Sequence, residues 1–240
     1  MKLFLLALLV FAGGSLRLAA QAYDIVIRNG RVIDGSGSPA IVGDVAIRGD
    51  RIAAIGRIAA TGRVEIDATG KVIAPGFIDV HTHSENITAL PLGENFVRMG
   101  VTTIISGNCG SSETDVAAYF AGITRTGVAL NVGTLLGQGS VRGHVMGGSF
   151  MRPPTEAELD QMRSLVRQAM ADGAVGLSTG LIYLPGTFSK TEEIIELAKV
   201  VAAHDGIYVS HMRGESHPQI FDSLNELARI AREALSLIHI

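Results

Sequence analysis

The stretch "IAPGFIDVHTHSEN", residues 73–86, joins an apolar run to two histidines one residue apart. It also marks a change in the pattern of apolar and polar residues along the chain. Before it, residues 23–71 alternate short strand-like runs with glycine-containing turns, which is typical of a small antiparallel β module. After Pro75, short apolar runs alternate with longer segments of helical periodicity. This second pattern predicts a parallel α/β domain.

Five strand-like runs follow Pro75, in the order "GFIDVHTH", "VTTIISG", "VALNVGTLLG", "AVGLSTG" and "GIYVSHM". Between them we predict a helix over 155–172, begun by a capping box of Thr155 and Glu158. Further helices are predicted over 191–204, with a threonine cap, and after Pro218. Such a series of βα units indicates a (β/α)8 barrel, whose active site lies at the carboxyl ends of the strands. Residues 75–240 are fewer than the roughly 250 typical of such a barrel, so we expect a partial barrel of about five units.

The amino-acid composition indicates which kinds of molecule this protein binds. The 240 residues are 47% hydrophobic and 18% charged, with a formal net charge of -3, a profile typical of a globular protein with a sizeable core. No cluster of lysine and arginine is present, so neither nucleic acid nor an anionic membrane is favoured as a partner. We expect a small-molecule partner. The oligomeric state has no signature in the sequence.

Residues 1–22, "MKLFLLALLVFAGGSLRLAAQA", have the pattern of a secretory signal peptide. One lysine precedes an apolar run, and the segment ends in an A-x-A cleavage motif, which predicts Tyr23 as the first mature residue. The alternative is a membrane anchor, but the apolar run is shorter than the roughly 20 residues needed to span a bilayer. We therefore expect an exported protein, periplasmic or secreted.

Three predicted strand ends carry side chains that bind metals. His81 and His83 are two residues apart, so on a strand both point to the same face. Cys109 follows the second strand in "ISGNCGSS", and His211 ends the fifth in "VSHMRGE". Imidazole and thiolate ligands favour zinc over calcium or magnesium. The alternatives are solvent-facing histidines and a cysteine buried as a small hydrophobic residue.

Other polar side chains near these strand ends have weaker cases. Asp79 is a possible hydrogen-bond acceptor for a metal-bound histidine. Tyr183 is a candidate substrate contact or an aromatic cover of the core rim. Arg213 is a candidate for binding a substrate carboxylate, or for a structural ion pair with Glu215 or another acid. The remaining histidines, which are interpreted as structural or solvated, are His144, His204 and His217.

The motifs "PGFIDVHTHSE", "GVTTIISGNCGSS", "GAVGLSTGLIYLPG" and "YVSHMRGE", in this order, resemble the N-acyl-D-amino-acid deacylase (D-aminoacylase) family of the amidohydrolase superfamily. The resemblance implies a (β/α)8 barrel beside a small β-sandwich, to which residues 23–74 contribute. It also implies zinc, with His81 and His83 at one metal position. Cys109 and His211 then hold the more tightly bound zinc, and Cys109 takes the bridging place of the carboxylated lysine found in many relatives.

The resemblance implies hydrolysis of N-acyl-D-amino acids to a carboxylic acid and a free D-amino acid. The family also uses a histidine after the sixth strand and a catalytic aspartate after the eighth, and we expect the aspartate beyond residue 240. The ending "LSLIHI" is interpreted as something other than the sixth strand, which leaves His239 out of the ligand set. Gln138 stands where relatives often have histidine. The chain is therefore expected to be an incomplete and inactive fragment that folds poorly alone.

Two alternatives remain open. One stays within the superfamily: a dihydroorotase-like cyclic amidase or a β-aspartyl dipeptidase, against which the cysteine in "GNCG" argues because these relatives use the carboxylated lysine. The other is a non-catalytic metal-binding scaffold that keeps the barrel face without the chemistry.

Overall fold

The computed structural model describes residues 22–235 and 237–239. All but the last residue of the predicted signal peptide lies outside the described residues. The described residues divide into two compact units, one that ends at Pro75 and one that begins at Gly76. Within the part of the chain that is described, no helix has both the length and the apolar character that a membrane span requires.

The first unit is a five-stranded mixed sheet. Its strands are β1 (Tyr23–Val32), β2 (Ile41–Arg48), β3 (Arg51–Gly56), β4 (Gly62–Asp67) and β5 (Val72–Ile73). The sheet order is β3-β2-β1-β4, and β5 also pairs with β1. The described residues of this unit form this one sheet, so they supply a single layer of the implied sandwich.

Two features of this sheet differ from the predicted antiparallel module. β1 pairs in parallel with both β4 and β5, so the prediction of a purely antiparallel arrangement is wrong. The runs "YDIVIRNG" and "RVIDGSG" also form one strand rather than two. Asn29 adopts a left-handed backbone (φ 59°) at a register irregularity between Ile27 and Gly30. The turn-like residues thus produce a bulge, and the chain continues in the same direction.

The second unit confirms the predicted partial (β/α) barrel. Its strands are β6 (Phe77–Asp79), β7 (Val101–Ser106), β8 (Asn131–Gly137), β9 (Gly176–Gly180), β10 (Ile207–His211) and β11 (Leu237–His239). They pair in sequence order, each parallel to the next. The helices are α1 (Glu94–Arg98), α2 (Val116–Thr126), α3 (Gln138–Met146), α4 (Glu156–Ala171), α5 (Thr191–Ala202) and α6 (Gln219–Ala234). All carboxyl ends of the strands therefore meet at one edge of the sheet.

The helix starts are explained by local chemistry. The Thr155 side chain accepts a hydrogen bond from the Glu158 backbone, and the Glu158 side chain accepts one from Thr155, which confirms the predicted capping box of α4. The predicted threonine cap of α5 is wrong, because Lys190 occupies the cap position. The Thr191 hydroxyl instead donates to Glu226 on α6 (2.8 Å), a tertiary contact in place of a local one.

The end of the chain also differs from the prediction. The backbone of Leu237–His239 pairs in parallel with β10, so it forms the sixth strand. Leu235 ends α6 in a left-handed conformation (φ 56°), which reverses the chain direction within a few residues. A long connecting loop is therefore unnecessary, and the prediction that "LSLIHI" is not the sixth strand is wrong.

The main core lies between the parallel sheet and its helices. Leu136, Leu177 and Tyr208 point into it from three successive strands, and each is at most 1% exposed. The helices contribute Met162, Val166, Ile194, Leu197, Leu227 and Ile230. A buried apolar layer on the helical side fixes the strands in register, and this register in turn positions the loops at their carboxyl ends.

Candidate metal centre

The four predicted metal ligands converge at the carboxyl ends of three strands. His81 and His83 follow β6, Cys109 follows β7, and His211 is the last residue of β10. The ligand atoms of His81, His83 and Cys109 all lie within 4.8 Å of one another. The Cys109 Sγ atom lies 3.5 Å from His81 Nε2 and 3.8 Å from His211 Nδ1. The cysteine thus stands between histidines from opposite sides of the half-barrel.

These separations suit a shared metal ion. Metal–sulfur and metal–nitrogen bonds to tetrahedral zinc are about 2.3 and 2.1 Å, which places a sulfur and a nitrogen ligand of one ion about 3.6 Å apart. The two sulfur–nitrogen distances at Cys109 bracket this value. One thiol and three imidazoles are also the donor chemistry that borderline-soft transition metals prefer. The residues present therefore fit a zinc-type ion.

The loop that carries Cys109 has an unusual backbone. Gly107, Cys109 and Gly110 all have positive φ, at 76°, 54° and 79°. Residues with a side chain rarely adopt this backbone conformation. A residue other than glycine keeps it only when the surrounding structure imposes it. Here the surroundings are close-packed, since a Cβ atom on Gly180 would lie 2.2 Å from the Cys109 carbonyl oxygen. The loop rests directly against the backbone at the end of β9.

Glu85 links the two loops of the site. Its carboxylate accepts a hydrogen bond from the Gly107 backbone N–H (2.9 Å), so the segment after His83 supports the segment before Cys109. Burial raises the pKa of the Cys109 thiol, and the negative charge of Glu85 raises it further. A metal ion at this place must therefore displace the thiol proton in order to bind the thiolate.

His211 is oriented by Glu215, which was not predicted to contact it. Glu215 Oε1 lies 2.8 Å from His211 Nε2. When Nε2 carries the ring proton, it donates a hydrogen bond to this carboxylate. Nδ1 is then unprotonated, and its lone pair faces Cys109. A carboxylate behind a metal-bound histidine fixes the tautomer and orientation of its ring. Residues 212–218 form no helix, so the four-residue spacing of His211 and Glu215 was no signal of this contact in the sequence.

Tyr183 and Arg213, the two predicted substrate contacts, occupy different surroundings. Tyr183 is 49% exposed, and its ring packs edge-on against His211, with the hydroxyl 3.4 Å from Nδ1. Arg213 donates to both carboxylate oxygens of Glu226 (2.9 Å each) and to two backbone carbonyls. The structural ion pair considered for Arg213 is therefore made, with Glu226 rather than Glu215. The substrate-binding roles of both residues stay predictions.

A cavity of about 400 Å³ adjoins the cysteine. It is lined by His83, Cys109, Tyr183, Leu184 and Pro185, together with backbone from several glycines. The lining combines metal-binding and apolar side chains, which is the usual composition of a small-molecule site.

A buried polar cluster beneath the cavity was missed by sequence reasoning. Gln138, at the start of α3, is fully buried, and its Nε2 donates to Ser189 Oγ and Glu193 Oε1 (2.8 Å each). Glu193 also forms an ion pair with the fully buried Arg142. Gln138, which stands where relatives often have histidine, thus contacts Ser189 in the segment after Tyr183 through its side-chain amide. This cluster ties the segment after Tyr183 to α3.

The remaining candidates have simpler surroundings. Asp79 accepts a hydrogen bond from the His81 backbone N–H (3.2 Å). The His204 ring contacts the Val200 carbonyl within its own helix (2.9 Å). His144 and His217 are exposed. None of these three histidines belongs to the ligand group found among the described residues.

Comparison with known proteins agrees with this geometry. Residues 64–239 match the amidohydrolase family. The chain is 37% identical over 239 residues to the D-aminoacylase of Alcaligenes xylosoxydans xylosoxydans, covering 89% of this chain and 49% of that protein. It is similar to a crystal structure of the N-acyl-D-glutamate deacylase of Bordetella bronchiseptica in complex with zinc and a phosphonate mimic of the tetrahedral intermediate. The TM-score is 0.87 at 33% identity, covering 91% of this chain and 51% of the other.

A D-aminoacylase structure that addresses the role of a binuclear metal centre is similar as well. Its TM-score is 0.86 at 34% identity, covering 90% of this chain and 50% of the other. The chain thus spans about half the length of the relatives it matches. The match to the family extends over most of the chain and includes all three strand ends that carry the predicted ligands. This chain therefore belongs to the amidohydrolase family.

Proposed function

We propose that the protein of which this chain is part is a zinc-dependent hydrolase that cleaves N-acyl-D-amino acids to a carboxylic acid and a free D-amino acid. The observation that carries the proposal is the position of Cys109 Sγ, 3.5 Å from His81 Nε2 and 3.8 Å from His211 Nδ1. The family resemblance assigns Cys109 the bridging place that the cyclic amidases of the superfamily give to a carboxylated lysine, and this position between two histidines supports that assignment. The names of the D-aminoacylase and the N-acyl-D-glutamate deacylase point to the same substrate class.

The proposed ligands are His81, His83, Cys109 and His211. When bound, zinc supplies a Lewis acid that polarises the amide carbonyl and lowers the pKa of a coordinated water. The chain's own residues prepare for this chemistry. Glu215 holds the His211 ring, and Glu85 holds the loop of Cys109. The cavity beside Tyr183 provides room for an acyl amino acid next to the ligand group.

The proton-transfer group is proposed to be the aspartate that the family places after its eighth strand. The sheet among the described residues comprises six strands, β6 to β11, so it does not contain that position. Arg213 is proposed to bind the substrate carboxylate. To do so, its guanidinium has to bind the substrate in addition to Glu226, with which it already pairs.

The test uses the protein expressed from its whole reading frame. We expect zinc to co-purify and N-acetyl-D-methionine, N-acetyl-D-aspartate or N-acetyl-D-glutamate to be hydrolysed in preference to the L-enantiomers. Removal of zinc by a chelator should abolish turnover and added zinc should restore it. A matched variant, Cys109→Ala, should lose both zinc and activity.

Other outcomes would support the alternatives. Hydrolysis restricted to cyclic amides or β-aspartyl dipeptides would refute the proposed substrate class. Zinc bound in the absence of any amide hydrolysis would favour a metal-binding scaffold.

We also propose export, on the basis of residues 1–22. Amino-terminal sequencing of the mature protein from its native host should begin at Tyr23. A mature protein that retains Met1 would contradict this proposal.

A further inference from the structure

We propose that Ser178 is a positioning residue that sets the direction of the Cys109 side chain through a two-sided hydrogen-bond clamp. The inference rests on the proposed metal site and concerns a residue in "GLSTG", the strand β9, to which neither the sequence motifs nor the metal geometry assigned a role.

The clamp is a single hydroxyl that contacts the backbone on both sides of Cys109. Ser178 Oγ accepts a hydrogen bond from the Gly110 N–H (3.0 Å) and donates one to the Gly107 carbonyl oxygen. Gly107 is two residues before Cys109, and Gly110 is the residue after it. Fixing both points fixes the plane of the loop, and so the direction of the Cα–Cβ bond of Cys109.

The surroundings make this hydroxyl hard to replace. Ser178 is fully buried, so water has no access to the two backbone groups if the hydroxyl is removed. A Cβ atom on Gly107 would lie 2.0 Å from the Leu135 carbonyl oxygen, and one on Gly137 would lie 2.5 Å from the Gly110 carbonyl carbon. At these two positions there is no room for a side chain, and Ser178 is the side chain of β9 that hydrogen-bonds the loop on both sides of Cys109.

The clamp also accounts for the backbone conformation of Cys109. Its φ of 54° is unfavourable for a residue with a side chain and persists only under constraint. Hydrogen bonds on both flanks supply that constraint before any metal arrives. The thiol is thereby held in place rather than collected by the ion from a mobile loop, and such preorganisation raises affinity.

The experiment compares Ser178→Ala with Thr179→Val in the protein expressed from its whole reading frame. Thr179 is the next residue on β9 and is also fully buried. Its hydroxyl contacts Tyr208 and Ser210 and not the Cys109 loop. Each variant lacks one buried hydroxyl. Ser178→Ala removes a hydrogen-bond partner of the Cys109 loop, whereas Thr179→Val removes one of Tyr208 and Ser210.

Zinc affinity is measured by competition with a chromophoric chelator. We expect Ser178→Ala to weaken zinc binding by about 10- to 100-fold, the effect of losing an outer partner of a metal ligand. We expect Thr179→Val to bind zinc as the wild type does. In the cobalt-substituted protein, the thiolate-to-metal charge-transfer absorption should diminish in Ser178→Ala alone. Equal zinc affinities for the wild type and Ser178→Ala, or equal losses in both variants, would overturn the clamp.

Two further readouts keep the proposal testable apart from activity, and the first of them needs no variant. In the metal-free wild type, the Gly110 amide should exchange with solvent slowly; exchange at the rate of an unfolded chain would refute the clamp. Metal-free Ser178→Ala should have Cys109 alkylated faster than in the wild type, as located by peptide mass spectrometry. A wild type that binds zinc without the cobalt–thiolate absorption would refute the proposed metal site itself, which distinguishes that failure from failure of the clamp.

Discussion

The buried ion pair beneath the cavity provides a quantitative test of the packing. Arg142 is fully buried and the Glu193 side chain is 4% exposed. Glu193 also accepts a hydrogen bond from Gln138, whereas the other contacts of Arg142 are to backbone carbonyls of residues 150 and 152. The substitution Glu193→Ala therefore leaves a guanidinium ion buried without its counter-charge. Breaking a buried pair in this way costs about 3–5 kcal/mol of folding free energy.

The neighbouring residue supplies the control. Glu192 lies in the same first turn of α5 and pairs with Arg229 at 2.9 Å, but its side chain is 64% exposed and that of Arg229 is 41% exposed. An exposed pair of this kind contributes about 0–1 kcal/mol. Both substitutions remove a carboxylate from the same helix start, so the effect on the helix dipole cancels. The difference between Glu193→Ala and Glu192→Ala is thus expected to be at least about 2 kcal/mol.

The assay is urea unfolding of the protein expressed from its whole reading frame, followed by far-ultraviolet circular dichroism. A double variant, Arg142→Met with Glu193→Leu, removes both charges, and we expect it to recover most of the loss because well-packed apolar residues can replace a buried pair. Free energies for Glu193→Ala and Glu192→Ala that agree within 1 kcal/mol would refute the reasoning. The same conclusion would follow if the double variant were less stable than Glu193→Ala.

Three further outcomes are expected. Gly180→Ala would place its Cβ 2.2 Å from the Cys109 carbonyl oxygen, so zinc affinity measured by chelator competition should fall, whereas Gly143→Ala, which meets no atom within 4 Å, should leave it unchanged. Burial raises the pKa of Tyr208 to about 12 from its model-compound value of 10.0. The stability contributed by its neutral phenol should therefore be lost as pH rises from about 10 to 12, and Tyr208→Phe should flatten this alkaline decline in thermal midpoint. Hydrogen bonds from Arg152 hold the pKa of Glu158 at about 2, below its ordinary 4.5. The stabilisation from this carboxylate should be present above pH 4.5 and lost as pH falls towards 2, so Glu158→Gln should be less sensitive to acid over that interval; an unchanged acid profile would count against the ion pair.

The strand ends of this protein could be predicted from sequence because the relevant signals are local. His81 and His83 follow an apolar run, and their spacing places them on one face of a strand. The capping box of α4 is likewise contained in four residues. For the metal ligands, the motif order and the rule that parallel strands end at one edge were enough to expect convergence.

The features that could not be predicted depend on contacts between distant residues. The parallel pairing of β1 with β4 and β5 is decided by which strands meet, and strand composition does not encode that choice. Thr191 has the chemistry of a helix cap but donates instead to Glu226, because α6 packs beside α5. Ser178 reaches Gly107 and Gly110 only in the observed register of β9.

The distribution of the ligands over the sheet has a consequence for assembly. Cys109 is 28 residues from His81 and 102 residues from His211 along the chain. Closing the longer of these loops costs roughly 1 kcal/mol more chain entropy than closing the shorter. Because β8 and β9 separate the strands that carry Cys109 and His211, their ligand atoms meet only after four strands have paired in register. Occupancy of the complete site by a metal would therefore report that the strands from β6 to β10 have paired in register, a state that the local helices alone do not require.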